Sequence, residues 1–199
     1  MPAPSRPLRP AVADHDDAND DVSDDVLAEY LAVVAKVDAA ASAAFALASD
    51  AVVCARGCHG CCAPGLSVLP VEAERLARHL EEHPPVAGAL GRRADRCVFL
   101  DDDGACGVYH ARPLLCRTHG LPLITGTVDP ARAARGPLRV IDNASVCELN
   151  FKGRAPRAAE ILDAGRILAL LVTVDRRFRS AAGLPDDDSR VPLAALLAE

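Results

Sequence analysis

The sequence predicts a mainly α-helical protein with one small β-hairpin, in which the helices pack around an irregular cysteine-rich centre. Apolar residues make up 50% of the 199 positions, but only 3% are aromatic and Trp is absent, so Ala, Leu and Val must supply the core. Ala and Leu are strong helix formers. Four of the eight cysteines lie within CARGCHGCC, residues 54–62, where two glycines interrupt any regular period. The centre is therefore expected to be a loop between helices.

The two ends of the chain differ in composition from the part between them. Residues 1–22 combine a proline-rich start with an acidic run, which predicts a disordered tail. We expect a cysteine-rich domain over residues 23–180 and a C-terminal tail with a short helix over residues 181–199. The start lacks the apolar segment of a signal peptide, so a cytoplasmic protein is expected.

Charge and hydropathy limit the expected partners. The formal net charge is −6, which argues against nucleic acid as a partner. The longest strongly apolar run, residues 167–174, is much shorter than the roughly 20 residues of a membrane helix. No membrane partner is therefore expected, and the sequence does not indicate a protein partner.

Three helices are predicted from capping residues and apolar periodicity. The first begins at one of residues 23–25 and ends near Asp50, the second begins at Pro70 and ends before Pro84, and the third runs from Pro156 to about Arg179. Their inward positions follow steps of three and four residues. These positions are Val26, Tyr30, Val33, Val37, Ala40, Ala44 and Leu47 in the first helix; Val71, Ala73, Leu76, Ala77 and Leu80 in the second; and Ile161, Leu168, Leu171 and Val172 in the third.

The segment between the second and third helices is predicted to contain the hairpin. Residues 97–100 and 105–109 flank an Asp-Gly turn, as the two strands of a hairpin would. Pro113 is expected to open a short helical turn that carries Cys116. Two short strands are expected after it, at residues 121–125 and 138–141.

The spacing of the cysteines predicts metal ligation. Thiols stay reduced in the cytosol, and eight cysteines are too few in a chain of this length for a disulfide scaffold. Structural zinc and iron–sulfur clusters each take about four ligands, commonly from two short clips that the fold brings together. The first clip is Cys54, Cys58, Cys61 and Cys62, the second is Cys97, Cys106 and Cys116, and Cys147 is a later single thiol.

The two clips together resemble the YkgJ-like CxxCxxCC family, whose name records chelation of zinc or iron. The resemblance covers CARGCHGCC and CVFLDDDGACGVYHARPLLCR, at about residues 54–120, with Cys147 as a further member. It implies a metal centre that holds zinc, iron or an iron–sulfur cluster, and places Tyr109, Arg112 and Arg117 beside it. The spacing of three residues between Cys54 and Cys58 departs from the two that the family name implies.

Two enzymatic alternatives remain open from the sequence. The spacing Cys54-x3-Cys58-x2-Cys61 also resembles the radical S-adenosylmethionine motif, which in that superfamily follows a barrel strand, and a methyl-transfer role is an analogy of the same kind. Alternatively, His59 or His119 could activate the nearby Cys58 or Cys116 as a nucleophile. His119 also has the spacing of a reserve metal ligand, three residues after a cysteine.

Overall fold

The computed structural model describes residues 17–55, 57–85, 90–91, 94–124, 138–141 and 144–197. These residues are mainly helical, as predicted, and they also form small sheets in addition to the segment predicted as a hairpin. The chain divides into two compact units. The first unit comprises Met1–Leu31, Cys62–Pro113 and Val172–Glu199, and the second comprises Ala32–Cys61 and Leu114–Leu171.

The first helix, α1 (Asp17–Leu47), begins earlier than predicted, so its residues 17–22 lie in the segment assigned to the disordered tail. The rest of that segment, residues 1–16, lies outside the described residues. The buried face follows the predicted positions as far as Val37 and then continues at Ala41, Ala44 and Ala48. Ala40 and Leu47 are exposed, so the prediction was wrong there. The buried face takes steps of four residues from Val37 to Ala41 and from Ala44 to Ala48, where the prediction took steps of three. At both points the buried residue therefore lies one position later in the sequence than predicted.

Helix α1 also bears on the expectation about membranes. Its segment Asp24–Leu47 is long and apolar enough to cross a membrane by length and composition alone. The sequence expectation considered only uninterrupted apolar runs and missed this segment, which Lys36 and Asp38 interrupt. One face of the helix is buried, and a core helix of a globular protein passes the same test.

The second helix, α2 (Pro70–Glu82), confirms its prediction at both ends. Its five predicted inward residues are all buried. Leu76 and Leu80 pack with Phe99 and Val108 in the core of the first unit. Just before α2, strand β1 (Ser67–Val68) pairs antiparallel with β6 (Val191–Pro192), and a 3-10 turn at Leu193–Leu196 adds two leucines to the same core.

The predicted hairpin at residues 97–109 is present only as a single antiparallel bridge between Leu100 and Cys106. The turn forms as expected, since Gly104 N donates to Asp101 O at 3.1 Å. The strands do not form because Phe99 and Leu100, adjacent in sequence, are both buried. Successive residues of a strand point to opposite faces, so a strand with one solvated face could not bury both.

The second unit contains a four-stranded sheet, in which the strands lie in the order 138–141, 144–147, 123–124 and 162–163. The predicted short helix is present as α3 (Leu114–Thr118), followed by β2 (Leu123–Ile124) and β3 (Leu138–Ile141), both within predicted ranges. Strands β4 (Ala144–Cys147) and β5 (Leu162–Asp163) were not predicted. The sheet is antiparallel except for the parallel pair of β2 and β5.

The last long helix, α4 (Ala164–Ala181), begins later than predicted. Residues 158–160 form a 3-10 turn and residues 162–163 form β5. Leu171 is buried as predicted, but Leu168 is 53% exposed, Val172 is half-buried, and Ile161 is half-buried and precedes the helix. The prediction was wrong because it extended the helix back to Pro156. A 3-10 turn and a strand precede the helix, so one helical period does not describe the whole segment.

The C-terminal part of α4 is fixed by a buried ion pair in the first unit. Arg179 is 1% exposed, and its Nε donates to Asp175 Oδ2 at 2.7 Å. The other oxygen of Asp175 accepts the backbone N–H of Val71 at 3.0 Å, which links α4 to the start of α2. Arg179 Nη1 also donates to Asp187 Oδ1 and to Ser189 Oγ in the C-terminal segment. The ion pair of Arg179 and Asp175 therefore holds α4, the start of α2 and the C-terminal segment together.

Candidate metal centre

The second unit brings Cys54 to a buried asparagine. Asn150 is 0% exposed, and its Nδ2 donates to Cys54 Sγ at 3.3 Å and to Gly120 O at 2.6 Å. Its Oδ1 accepts the backbone N–H of Val53 at 3.0 Å. The side-chain amide thus fixes the segment that carries Cys54 while it directs an N–H at the sulfur. N–H donors directed at sulfur stabilise the thiolate form that binds metals.

The position of Asn150 follows from the local fold. Strand β4 ends at Cys147, and Asn150 N donates to Cys147 O at 3.0 Å, which closes a tight turn. Phe151, the next residue, has a positive φ of 53° and donates its N–H to Ala51 O at 2.7 Å. A left-handed backbone at a bulky residue is rare and requires support from its surroundings. This turn is held between the sheet and the segment that follows α1.

Cys58 and Cys147 are electrostatic neighbours of Cys54. Burial raises the pKa of the Cys54 thiol, the hydrogen bond from Asn150 opposes this change, and the thiols of Cys58 and Cys147 raise the pKa further. Cys58 lies on the exposed loop, whereas Cys147 is buried. The fold therefore brings Cys54 and Cys58 of the first clip near the single late thiol, although Cys147 follows Cys54 by 93 positions.

Gly120 closes this group of thiols on one side. Its φ of 97° is disfavoured for residues with a Cβ, and a Cβ built there would lie 2.7 Å from Cys54 Sγ. Only glycine allows the backbone to approach the sulfur so closely. Gly120 also supplies the carbonyl that orients Asn150. The chain therefore shapes one wall of the thiol group with a residue that has no side chain.

The first unit holds a smaller group of thiols. Cys97 N donates to Cys62 O at 2.8 Å, which joins the end of the first clip to the start of the second. Burial raises the pKa of the Cys106 thiol, and the neighbouring Cys97 raises it further. Arg112 acts in the opposite direction, because its positive charge favours the Cys106 thiolate. Its guanidinium carbon lies 3.9 Å from the ring centroid of Tyr109, which is exposed.

The remaining predicted site residues lie in the second unit. Cys61 and Cys116 are both partly buried. Arg117 Nη1 forms a 2.6 Å ion pair with Asp38 Oδ2 of α1, and only 9% of its side chain is exposed. Arg117 thus fixes the short helix that carries Cys116. All eight cysteines are present as thiols rather than disulfides.

The structure gives no support to the enzymatic alternatives. The segment before Cys54 is the long helix α1, not the barrel strand that precedes the radical S-adenosylmethionine motif. His59 is exposed, and its Nδ1 lies 2.9 Å from Gly57 O. His119 Nδ1 lies 3.3 Å from Leu115 O. Both ring contacts are with backbone oxygens rather than with a thiol.

Sequence reasoning missed Asn150 and Gly120. Asn150 has no local signal, because its role depends on three segments that are distant in sequence. Gly120 lies four residues after Cys116, the last cysteine of the second clip. A glycine so close to a run of predicted ligands is a local signal that could have identified it.

A comparison with known protein families identifies a match that covers both cysteine clips. Residues 53–132 match the CxxCxxCC family model, described as "Putative zinc- or iron-chelating domain". The match confirms the resemblance and contains seven of the eight cysteines, all except Cys147. No curated protein and no solved structure matched the chain.

The donor set of the second unit fits a sulfur-binding metal ion. Burial and the neighbouring thiols of Cys58 and Cys147 raise the pKa of Cys54, and a cation bound there would act in the opposite direction. Within the described part of this unit, no three sulfurs lie within 4.8 Å of one another. Ligation of one ion at about 2.3 Å per Zn–S bond therefore requires the thiols to move closer together. Cys58 is the exposed thiol of the three.

Proposed function

We propose that this chain is a cytoplasmic metal-chelating protein that holds zinc or iron through cysteine thiolates. The CxxCxxCC domain match supports metal chelation. The observation that carries the choice of ligands is the proximity of Cys54, Cys58 and Cys147 beside an amide that donates to sulfur. Thiolates select zinc, copper(I) and iron–sulfur clusters over hard cations such as magnesium.

The proposed ligands fall into two sets, one in each compact unit. In the second unit they are Cys54, Cys58 and Cys147, with Cys61 and Cys116 available as further donors. In the first unit they are Cys97 and Cys106, with Cys62 joined to them through its backbone. When bound, the ion neutralises thiolate charge and cross-links segments that are distant in sequence. Asn150 and Arg112 support the two sets through an N–H donor and a positive charge.

Elemental analysis of the protein purified without oxygen tests this proposal. We expect zinc or iron at near-stoichiometric amounts, and a brown colour with inorganic sulfide would identify an iron–sulfur cluster. Cys58→Ala and Cys147→Ala should lower metal content and thermal stability together, because metal binding contributes to folding. His59→Ala, beside Cys58 but hydrogen-bonded to backbone, is the matched control and should retain full metal content. Wild-type protein without zinc or iron would refute the proposal.

A further inference from the structure

Three donors of a different kind stand at the C-terminal end of α2 in the first unit. Ligand atoms of His79, Glu82 and His83 all lie within 4.8 Å of one another. The two imidazole rings are one helical turn apart, with centroids 4.6 Å from each other. Glu82 Oε2 lies 3.9 Å from His83 Nδ1. No other group of three His, Cys, Asp or Glu residues meets this spacing within the described part of the chain.

His79 provides the second observation that points to a ligand. The residue is 8% exposed, and its Nδ1 is buried without a hydrogen-bond partner among the described residues. A buried polar nitrogen is unfavourable unless something satisfies it. A cation bound by an imidazole nitrogen would do so, because the neutral ring offers one lone pair. Glu82 and His83 are exposed, so an ion can reach this position from solvent.

The electrostatics of the group favour the form of histidine that binds metals. Burial lowers the pKa of His79, and the neighbouring His83, Arg75 and His110 lower it further, whereas Glu82 opposes them. His79 is therefore held as neutral imidazole at neutral pH. Arg75 Nη1 lies 3.9 Å from Glu82 Oε2 and is the competing partner that an ion would have to displace or share.

We propose that His79, Glu82 and His83 form a second metal site, separate in ligand chemistry from the cysteine thiolates. Two imidazole nitrogens and one carboxylate oxygen suit a divalent transition ion such as Zn²⁺, with water in the open position. Two histidines one turn apart on a helix are an established zinc-ligating arrangement. The site gives the protein an exposed, exchangeable position for a metal ion, whereas thiolates bind such ions more tightly.

Cobalt titration of the full-length protein, purified with its own metal, tests this proposal. Co²⁺ replaces zinc and reports its ligands by absorption: sulfur ligands give an intense charge-transfer band in the near ultraviolet, and nitrogen and oxygen ligands do not. We expect wild-type protein to take up one more equivalent of Co²⁺ than His83→Ala, and the difference spectrum to lack the sulfur band. Glu82→Gln should weaken this uptake, whereas Glu81→Gln, an exposed neighbour on the same helix, should leave it unchanged.

The outcomes separate this site from the thiolate ligands. Equal Co²⁺ uptake by wild-type protein and His83→Ala, or a sulfur band in their difference spectrum, would overturn the proposal. If Cys58→Ala and Cys147→Ala abolish zinc or iron but leave the extra Co²⁺ equivalent, both sites exist. If the purified protein contains no zinc or iron and the nitrogen–oxygen spectrum still appears, only the thiolate proposal fails. His83 is exposed, and circular dichroism of His83→Ala checks that the helix is intact.

Discussion

Replacement of Asn150 by alanine should destabilise the protein and weaken its metal binding. The side chain is fully buried and makes three contacts at once: to Gly120 O at 2.6 Å, to Cys54 Sγ at 3.3 Å and from Val53 N at 3.0 Å. Alanine removes all three and fills none of the space. Loss of Asn150 therefore affects both the fold of the second unit and the environment of the Cys54 sulfur.

The magnitude follows from the surroundings of each group left behind. Gly120 is buried, so loss of this bond to its carbonyl costs about 1–3 kcal/mol. Val53 is exposed, so water can replace the lost bond and the cost is about 1 kcal/mol. The free energy of unfolding should fall by about 2–4 kcal/mol in sum, which for a chain of this size lowers Tm by roughly 4–16 °C.

Asn150→Asp separates the structural from the electrostatic contribution. The carboxylate keeps the size of the side chain and the acceptor for Val53, but it places negative charge 3.3 Å from the Cys54 sulfur. Metal affinity should fall by about 10- to 100-fold, as is typical when an outer-shell partner of a ligand is lost. Competition with a chelator measures the affinity, and thermal unfolding followed by circular dichroism measures the stability.

An exposed neighbour serves as the control for both variants. Glu148→Ala lies two positions before Asn150 in the same turn and should change neither quantity. If Asn150→Ala unfolded at the wild-type temperature and bound metal with wild-type affinity, the assigned role of this amide would be wrong.

Three further predictions follow from the geometry. Gly120→Ala should lower metal content and Tm more than Gly183→Ala, because both have a positive φ but only the former brings a Cβ within 2.7 Å of a cysteine sulfur. Arg179→Ala should lower the free energy of unfolding in urea by about 3–5 kcal/mol, since it leaves a buried carboxylate unpaired; a loss below about 1 kcal/mol would contradict this. Hydrogen bonds from Arg154 lower the pKa of Glu160 from 4.5 to about 2. The ionised Glu160 therefore stabilises the folded protein above pH 4.5, and this contribution is lost as the pH falls toward 2. Arg154→Ala should flatten this part of the curve of unfolding free energy against pH.

The second helix shows what the sequence alone could establish. Pro70 at its start, the apolar period within it and Pro84 after its end are all local signals, and the helix was predicted at both ends. The sheet of the second unit shows the opposite case. Strands β2 and β5 have only two residues each, and their pairing depends on contacts between Leu123 and Leu162, which no local pattern records.

The candidate metal centre also combines features that the sequence predicts with features that depend on the tertiary fold. Cysteine identity and spacing predict thiolate ligation of a metal ion, since the chemistry of a thiol is a property of the residue itself. The division of the thiols between two compact units depends on the tertiary fold, and so does the contribution of Asn150. His79 and His83 are four residues apart, which is a spacing of metal ligands on a helix. The buried, unsatisfied Nδ1 of His79, on which the proposal depends, is visible only in the structure.

The two candidate sites differ in how they are prepared for a cation. Burial and neighbouring thiols raise the pKa of Cys54 and Cys106, so these cysteines keep their protons at neutral pH until a metal ion replaces them. Burial lowers the pKa of His79, so its imidazole is already in the binding form. Metal binding at the thiols must therefore release protons and weaken steeply as the pH falls, because protons compete with the ion for each sulfur. Binding at the His79 imidazole requires little proton release near neutral pH, which suits a site that takes up and releases an ion readily.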